Sequence, residues 1–348
     1  MFAMRSPTQF GVAVLGASGY SGGELVRLID THPGLVVTGL GARSSAGLPL
    51  GSVHPHLGGG DRMLAALDPE TLQADLVFLA LPNGASAEAA VTLAGRGIAV
   101  ADLGGDLRFA SVGRFVEAYG ADPPHPDQIG SWVYGIPELF GDRIRSAPRV
   151  AVAGCYPTAA VLALAPLLGD GLIGPKVVVD AKSGVSGAGR SIRADLMFGA
   201  VDGNVTAYGI GAHRHRPEIE QALEAVAGVT PSVTFTPHLV PMMRGLLATG
   251  YAVAGDGVTR GDLVDSLAKR YASTPFVSVV GDPPQTRWVT GSNRCLISVH
   301  LDRSTGSVVV VSVLDNLLKG SAGQAVQCAN LMLGLPEETG LPAAGTMP

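Results

Sequence analysis

The chain is poor in cysteine, in charge and in aromatic rings. Its 348 residues hold three cysteines, Cys155, Cys295 and Cys328, with no CxxC pair and no cluster of metal-ligand spacing. That excludes a disulfide framework and a structural zinc site, and it fits a reducing compartment in which a thiol stays free. Charged side chains make up 15% and the net charge is −5, with Lys and Arg scattered, so there is no footprint for a nucleic acid. No apolar run reaches the roughly 18 to 20 residues of a membrane span. The opening stretch MFAMRSPTQFGVAVLGASG lacks the charged start, long apolar segment and cleavage site of a leader, so the expected location is cytoplasmic and the expected chain unprocessed. What is abundant is apolar residues, at 47%, and glycine, at 48 residues with no fixed period. A globular chain of this length is expected to form two domains.

The first 150 residues alternate between strand and helix patterns. FGVAVLGASGYSGGELVRLIDTHP reads as strand, glycine turn and helix: Gly11–Leu15 is a short apolar run, and Glu24–Asp30 has helical spacing that stops before Pro33. LVVTGLGAR, ADLVFLALP and IAVADLGG are further strands, and SAEAAVTLAGRG is a helix stopped at Gly95. Strands apolar on both faces with short connections predict a doubly wound parallel sheet. Beyond residue 150 the pattern changes. RVAVAG is a strand, VLALAPLL lies in a buried helix, and KVVVDAKSG, SVTFTPHLVP, LLATGYAVA, RCLISVHLD and SVVVVSVLD are longer strands, several of them alternating. Alternation predicts an antiparallel sheet with one face covered, in an α+β second domain. DNLLKGSAGQAVQCANLMLGL reads as a closing helix with one small-residue turn, and PAAGTMP as a frayed tail.

GASGYSGG places Gly16, Gly19 and Gly22 directly after a strand and at the opening of a helix. The spacing is GxxGxxG, but the need is that of GxGxxG: a tight turn and a helix N-terminus open to a pyrophosphate. An NAD site usually ends its second strand in an acid for the ribose hydroxyls. Here GARSSAG offers Arg43, Ser44 and Ser45 instead, which suit a 2′-phosphate, so the expected cofactor is NADP(H).

Cys155 follows Gly154 and precedes a helix whose first residues include Pro157, which suits the first helical position. A helix N-terminus favours thiolate, so Cys155 is a candidate nucleophile, whereas Cys295 and Cys328 sit in apolar patterns as packing residues. A nucleophilic thiol wants a base, and GIGAHRHRPEIEQ supplies His213 and His215, an i, i+2 pair before a helix starting near Pro217. No third ligand accompanies them, so no metal is expected. Arg108, Arg190, Arg214, Arg216 and Arg244 are candidate partners for phosphate or carboxylate. SGVSGAG is not a GxSxG elbow, because Ala188 replaces the second glycine, which removes the main support for a serine hydrolase.

GASGYSGGEL, ARSSAG, FLALPNGAS, DLGGDLRF, YGIPEL, GCYPTAA, SGVSGAGR, HRHRPEIEQ, FTPHLVPMMRG, GSNRC and DNLLKGSAGQAVQ stand in order from near residue 10 to near residue 335. Together they resemble the N-acetyl-gamma-glutamyl-phosphate reductase family of arginine biosynthesis. The resemblance implies a Rossmann-type NADP-binding domain at 1–154, completed by a C-terminal segment at 316–348. It also implies a glyceraldehyde-3-phosphate-dehydrogenase-like catalytic and oligomerisation domain at 155–315, and a homodimer or homotetramer. It implies Cys155 as nucleophile and His213 as acid/base, with Arg108, His215 and Arg244 toward substrate or phosphate. The implied cofactor set is Gly16, Ala17, Ser18, Gly19, Tyr20, Ser21, Gly22, Arg43, Ser44, Ser45, Pro82, Ser183, Gly184, Gly187, Asn316, Lys319 and Gly320. One departure stands out: the family commonly has proline before Gly-Cys, and this chain has Ala153. Two other functions share parts of the pattern, a carrier-linked aminoadipyl-phosphate reductase of lysine biosynthesis and a non-catalytic NADP-binding sensor. The aspartate-semialdehyde dehydrogenases fit HRHRPEIEQ and SGVSGAGR less well.

Overall fold

The computed structural model describes residues 9–58 and 60–347, which divide into two compact units. The first runs to Val112 and adds Asp122–Ala153 and Ser321–Leu341. The second holds Gly113–Ala121, Gly154–Gly320 and the stretch from Pro342. The expected limits at 154/155 and 315/316 therefore move. Residues 316–320 stay in the second unit because the Asn316 side chain is fastened there, accepting from Gly245 N at 2.8 Å and donating to Ser186 Oγ at 2.9 Å. Residues 113–121 join it through Arg114, which pairs with Glu220 at 3.3 Å and Glu224 at 3.0 Å.

In chain order the first stretch forms β1 (Phe10–Leu15), α1 (Tyr20–Asp30), β2 (Leu35–Gly41), α2 (Leu50–Val53), β3 (Leu76–Leu79), α3 (Ser86–Gly95), β4 (Ala99–Asp102), α4 (Val112–Tyr119), β5 (Val133–Gly135), α5 (Pro137–Arg145) and β6 (Arg149–Val152). Six strands pair in the order β2-β1-β3-β4-β6-β5, all parallel. β1 and β3 are buried almost throughout, as strands covered on both faces must be. The order reverses at β1, so the glycine turn after β1 lies at the switch point of the sheet, where such sheets open a crevice at their strand ends. At the end of β4, burial pushes the Asp102 carboxyl up to about 6, although Ser86 Oγ and Gly104 N both donate to its Oδ1. Its Oδ2 has no hydrogen-bond partner among the described residues.

The second stretch forms α6 (Cys155–Gly169), β7 (Ile173–Gly184), α7 (Phe198–Val201), β8 (Thr206–Ala207), α8 (His215–Ala227), β9 (Ser232–Val240), β10 (Leu246–Ala254), α9 (Arg260–Tyr271), β11 (Val277–Val279), β12 (Cys295–Asp302) and β13 (Ser307–Leu314), then α10 (Gly323–Met332) in the first unit. The sheet β11-β12-β13-β10-β7-β9-β8 is mixed rather than antiparallel. β7 and β9 run parallel, as do β11 and β12. The reason is connection length: α7, β8 and α8 intervene between β7 and β9, so the chain can cross over instead of turning back. α6 is apolar all round and is buried from Tyr156 to Leu168. The opposite face of the sheet leaves Val178 and Tyr251 about 42% and 41% exposed and Val253 66% exposed. The tail expected to fray is tied down over its described part. Asn293 N donates to Pro342 O and Thr346 N to Thr290 O, each at 2.8 Å.

Candidate active site

Cys155 is the first residue of α6, not a residue ahead of it, and Pro157 sits in the third position. Gly154 caps the helix in an extended conformation. Its N–H donates to Glu218 Oε1 at 2.9 Å, and its carbonyl accepts from Thr158 Oγ1 at the same distance. Glu218 is only 2% exposed, so a buried carboxylate on α8 holds the backbone from which the nucleophile hangs. The free glycine of the turn at 318–322 serves the same spot: a Cβ on Gly320 would stand 2.7 Å from Cys155 Cβ. Ala153 donates its N–H to Gly135 O at 3.3 Å, a bond that proline could not make.

His213 faces the same cavity as Cys155. The two histidines do not both precede the helix as expected: Arg214 has helical backbone angles and α8 begins at His215, two residues early. The rings of His213 and His215 are T-shaped, with centroids 4.8 Å apart. Around His213 stand Tyr156 at 5.9 Å, Tyr208 at 5.5 Å and Phe235 at 5.3 Å. This burial, helped by the positive Arg214, pushes the His213 imidazole down to about 4. His215 N–H donates to His213 Nδ1 at 3.1 Å. A neutral ring whose Nδ1 accepts must carry its proton on Nε2. The hydroxyls of Tyr156 and Tyr208 meet at 3.2 Å. Burial raises both phenols, and a negative charge on Cys155 raises them further, so the thiol lies within their electrostatic reach.

The cavity encloses about 360 Å³ and lies within the second unit. Of the residues singled out in the sequence, it brings together Cys155, Ser183, Gly184, Gly187, His213, Arg214 and His215. Tyr156, Arg193, Asp195, Asn204, Tyr208 and the supporting Glu218 were missed. Glu218 had a signal: it lies three residues after His215, one helical turn along α8. Asn316, Lys319, Gly320 and Arg244 belong to the second unit but not to the cavity wall. Lys319 is fully buried. Arg244 is paired with the buried Asp315 at 3.0 Å. Arg108 stands in the first unit and donates to Leu103 O at 2.8 Å.

The first unit holds the remaining cofactor candidates: Gly16–Gly22, Arg43, Ser44, Ser45 and Pro82. Gly16 has φ +89, and a Cβ there would lie 2.2 Å from Ala80 O, while one on Gly22 would lie 2.2 Å from Gly16 O. These two glycines fold the turn itself. Gly19 differs: its added Cβ would meet only Gly16 O, at 3.5 Å, so this glycine presents open backbone at the start of α1, where no side chain caps the helix. A dinucleotide pyrophosphate fits that opening. His54 supports the turn from below, its Nε2 lying 2.9 Å from Ala17 O. Arg43 is exposed and forms no ion pair among the described residues, and no acid stands beside it in GARSSAG. Substituting Gly22→Ala is expected to weaken dinucleotide binding about tenfold or more and to lower Tm by several degrees, since backbone has to move. Titration calorimetry and a thermal melt check both.

Models of two families match the chain. Residues 11–147 fit the semialdehyde dehydrogenase NAD binding domain, and residues 155–316 fit the semialdehyde dehydrogenase dimerisation domain. The N-acetyl-gamma-glutamyl-phosphate reductase of Synechocystis sp. is 45% identical over 346 residues, 97% of this chain and 98% of that one. The enzyme of the same name from Cyanothece sp. is 45% identical over 352 residues, 99% and 100% of the two chains. Among solved structures, aspartate semialdehyde dehydrogenase II from Vibrio cholerae, complexed with ASA, superposes with a TM-score of 0.71 at 18% identity over 94% of this chain and 98% of that one. That likeness is one of fold.

Proposed function

Since the chain belongs to the N-acetyl-gamma-glutamyl-phosphate reductase family of semialdehyde dehydrogenases, we propose that it reduces N-acetyl-L-glutamyl 5-phosphate to the 5-semialdehyde with release of phosphate, in arginine biosynthesis. The observation that carries the reading is the meeting, in one cavity, of a thiol at the first position of α6 with a neutral imidazole, that of His213. Cys155 Sγ attacks the acyl carbon, an S–C bond forms, and the C–O bond to phosphate breaks with its electron pair. Glu218 keeps the Gly154–Cys155 backbone in place during this exchange. A thioester splits acyl transfer from reduction, which is what a covalent route gains. The nicotinamide dinucleotide, when bound, supplies the hydride. His213 Nε2–H donates to the carbonyl oxygen as charge develops there. The C–S bond then breaks, freeing the aldehyde and returning the thiolate.

NADP(H) is the proposed form of the cofactor, on the strength of Arg43, which forms no ion pair among the described residues, with Ser44 and Ser45. Of the residues read as phosphate contacts, His215 lines the cavity, which supports proposing it for that role. The half-open sheet face around Val178, Tyr251 and Val253 is read as the surface that a second copy covers, in a unit whose family model is a dimerisation domain. The test is phosphate-dependent reduction of NADP by N-acetyl-glutamate semialdehyde. Turnover is expected, with kcat/KM for NADP above that for NAD. An inactive protein defeats the reading, and a preference for NAD defeats the assignment of Arg43.

A further inference from the structure

Arg214 stands between the two histidines, and the steps above do not use it. It occupies the cap position of α8, its side chain is exposed, and it forms no ion pair among the described residues. The other guanidinium on the cavity wall, Arg193, is already engaged: its Nε donates to Asp195 Oδ1 at 3.0 Å and its Nη2 to Oδ2. Asp195 is the one carboxylate among the described lining residues. Arg214 is therefore the one guanidinium among the described lining residues that no carboxylate engages.

The acyl phosphate of the proposed function, on which this inference rests, has two anionic groups. The phosphate sits on the reacting carbon and departs in the first step. The carboxylate lies farther along the chain and remains through the whole cycle, including the thioester stage. The nitrogen is acylated and uncharged. A free ammonium group in this cavity would need a carboxylate, and the one present is bound to Arg193. Leu196, Ala200 and Val201 give an apolar stretch that suits the acyl methyl. One guanidinium fork matches one planar monoanion, whereas a phosphate dianion would leave a charge unmet. We propose that Arg214 binds the carboxylate of the substrate and thereby selects an N-acylated amino-acid phosphate.

In the oxidative direction the semialdehyde and inorganic phosphate are separate substrates, so the two anions can be told apart. Arg214→Gln is expected to raise KM for N-acetyl-glutamate semialdehyde about 30-fold, as loss of a charge-assisted bidentate pair implies. KM for phosphate is expected to stay within about threefold. Arg214→Lys keeps the charge without the fork and is expected to fall between. The second arm removes the carboxylate from the ligand: 4-acetamidobutanal should be a poor substrate for wild type and no poorer for Arg214→Gln. A rise in KM for phosphate alone, unchanged KM for both substrates, or an equal loss on 4-acetamidobutanal overturns the proposal while the proposed function stands. A wild-type protein that does not oxidise N-acetyl-glutamate semialdehyde overturns both.

Discussion

Cys155→Ala is expected to lower phosphate-dependent turnover by about four orders of magnitude, because it removes the atom that forms the acyl intermediate. The three cysteines provide an internal control. Cys295 and Cys328 are fully buried, whereas Cys155 is partly exposed in the cavity. A packing role would therefore be written in Cys295, whose Sγ lies 3.3 Å from Ser312 Oγ inside the sheet, and not in Cys155. The alanine variant keeps the Cβ that packs beside Gly320, so Tm should change by no more than about 2 °C. Alkylation of the native protein should consume one thiol quickly and two slowly, and activity should vanish with the first. Cys155→Ser retains a hydroxyl but no activated nucleophile and should be nearly as inactive. Retention of more than about one per cent of kcat in the alanine variant would sink the covalent route.

The parts of the fold that were legible are those whose physics is local. β1, the glycine turn and α1 announce themselves because buried parallel strands are short apolar runs and only glycine can turn so tightly beneath Ala80. α6 was legible for a similar reason, being apolar on every side. The stretch from 110 to 148 was not: β5 has three residues, and α4 carries Arg114 and Glu117, whose partners Glu220 and Arg216 lie a hundred residues on. The mixed sheet was missed because alternation reports a half-covered face and is silent on strand direction. Within the cavity, Cys155 and His213 were found through their residue types and neighbours. Tyr208, Arg193 and Asp195 were not, since they come from the irregular segment between β7 and α8, where no periodicity shows which side chains turn inward. Glu218 could be placed one helical turn after His215, but the backbone it holds could not be read. Its role depends on two helices, α6 and α8, meeting at Gly154, and nothing local to either marks that meeting.

His213 should titrate near 4 and not near the ordinary imidazole value of 6.5. Burial among Tyr156, Tyr208 and Phe235 is the main cause and the charge of Arg214 the second, while the His215 N–H directed at Nδ1 opposes a second ring proton. The ring is therefore neutral from about pH 5 upward, with its proton on Nε2, and it acts as a fixed donor toward the carbonyl oxygen. A glutamine at this position has an amide N–H of comparable reach. His213→Gln is accordingly expected to lose about 10²-fold in kcat and His213→Ala about 10³-fold or more, within the range of general acid and oxyanion contributions. Following the imidazole carbon resonance by NMR gives the titration directly, and a midpoint near 6.5 would refute the locked, neutral donor. Stability follows from the same shift. The folded pKa lies below the unfolded one, so the unfolded chain takes up the proton first and stability falls as pH drops from about 6.5 to about 4. Asp102 acts in the opposite sense over nearly the same range. Its folded pKa, about 6, lies above its ordinary 3.8, so the folded state holds the proton first and stability falls as pH rises through that window. The two slopes oppose each other in the native chain. Removing one exposes the other: melts of His213→Gln should lose stability between pH 4 and 6, and melts of Asp102→Asn should gain it more steeply than wild type. If both variants parallel the wild type across that range, neither group titrates as its surroundings dictate.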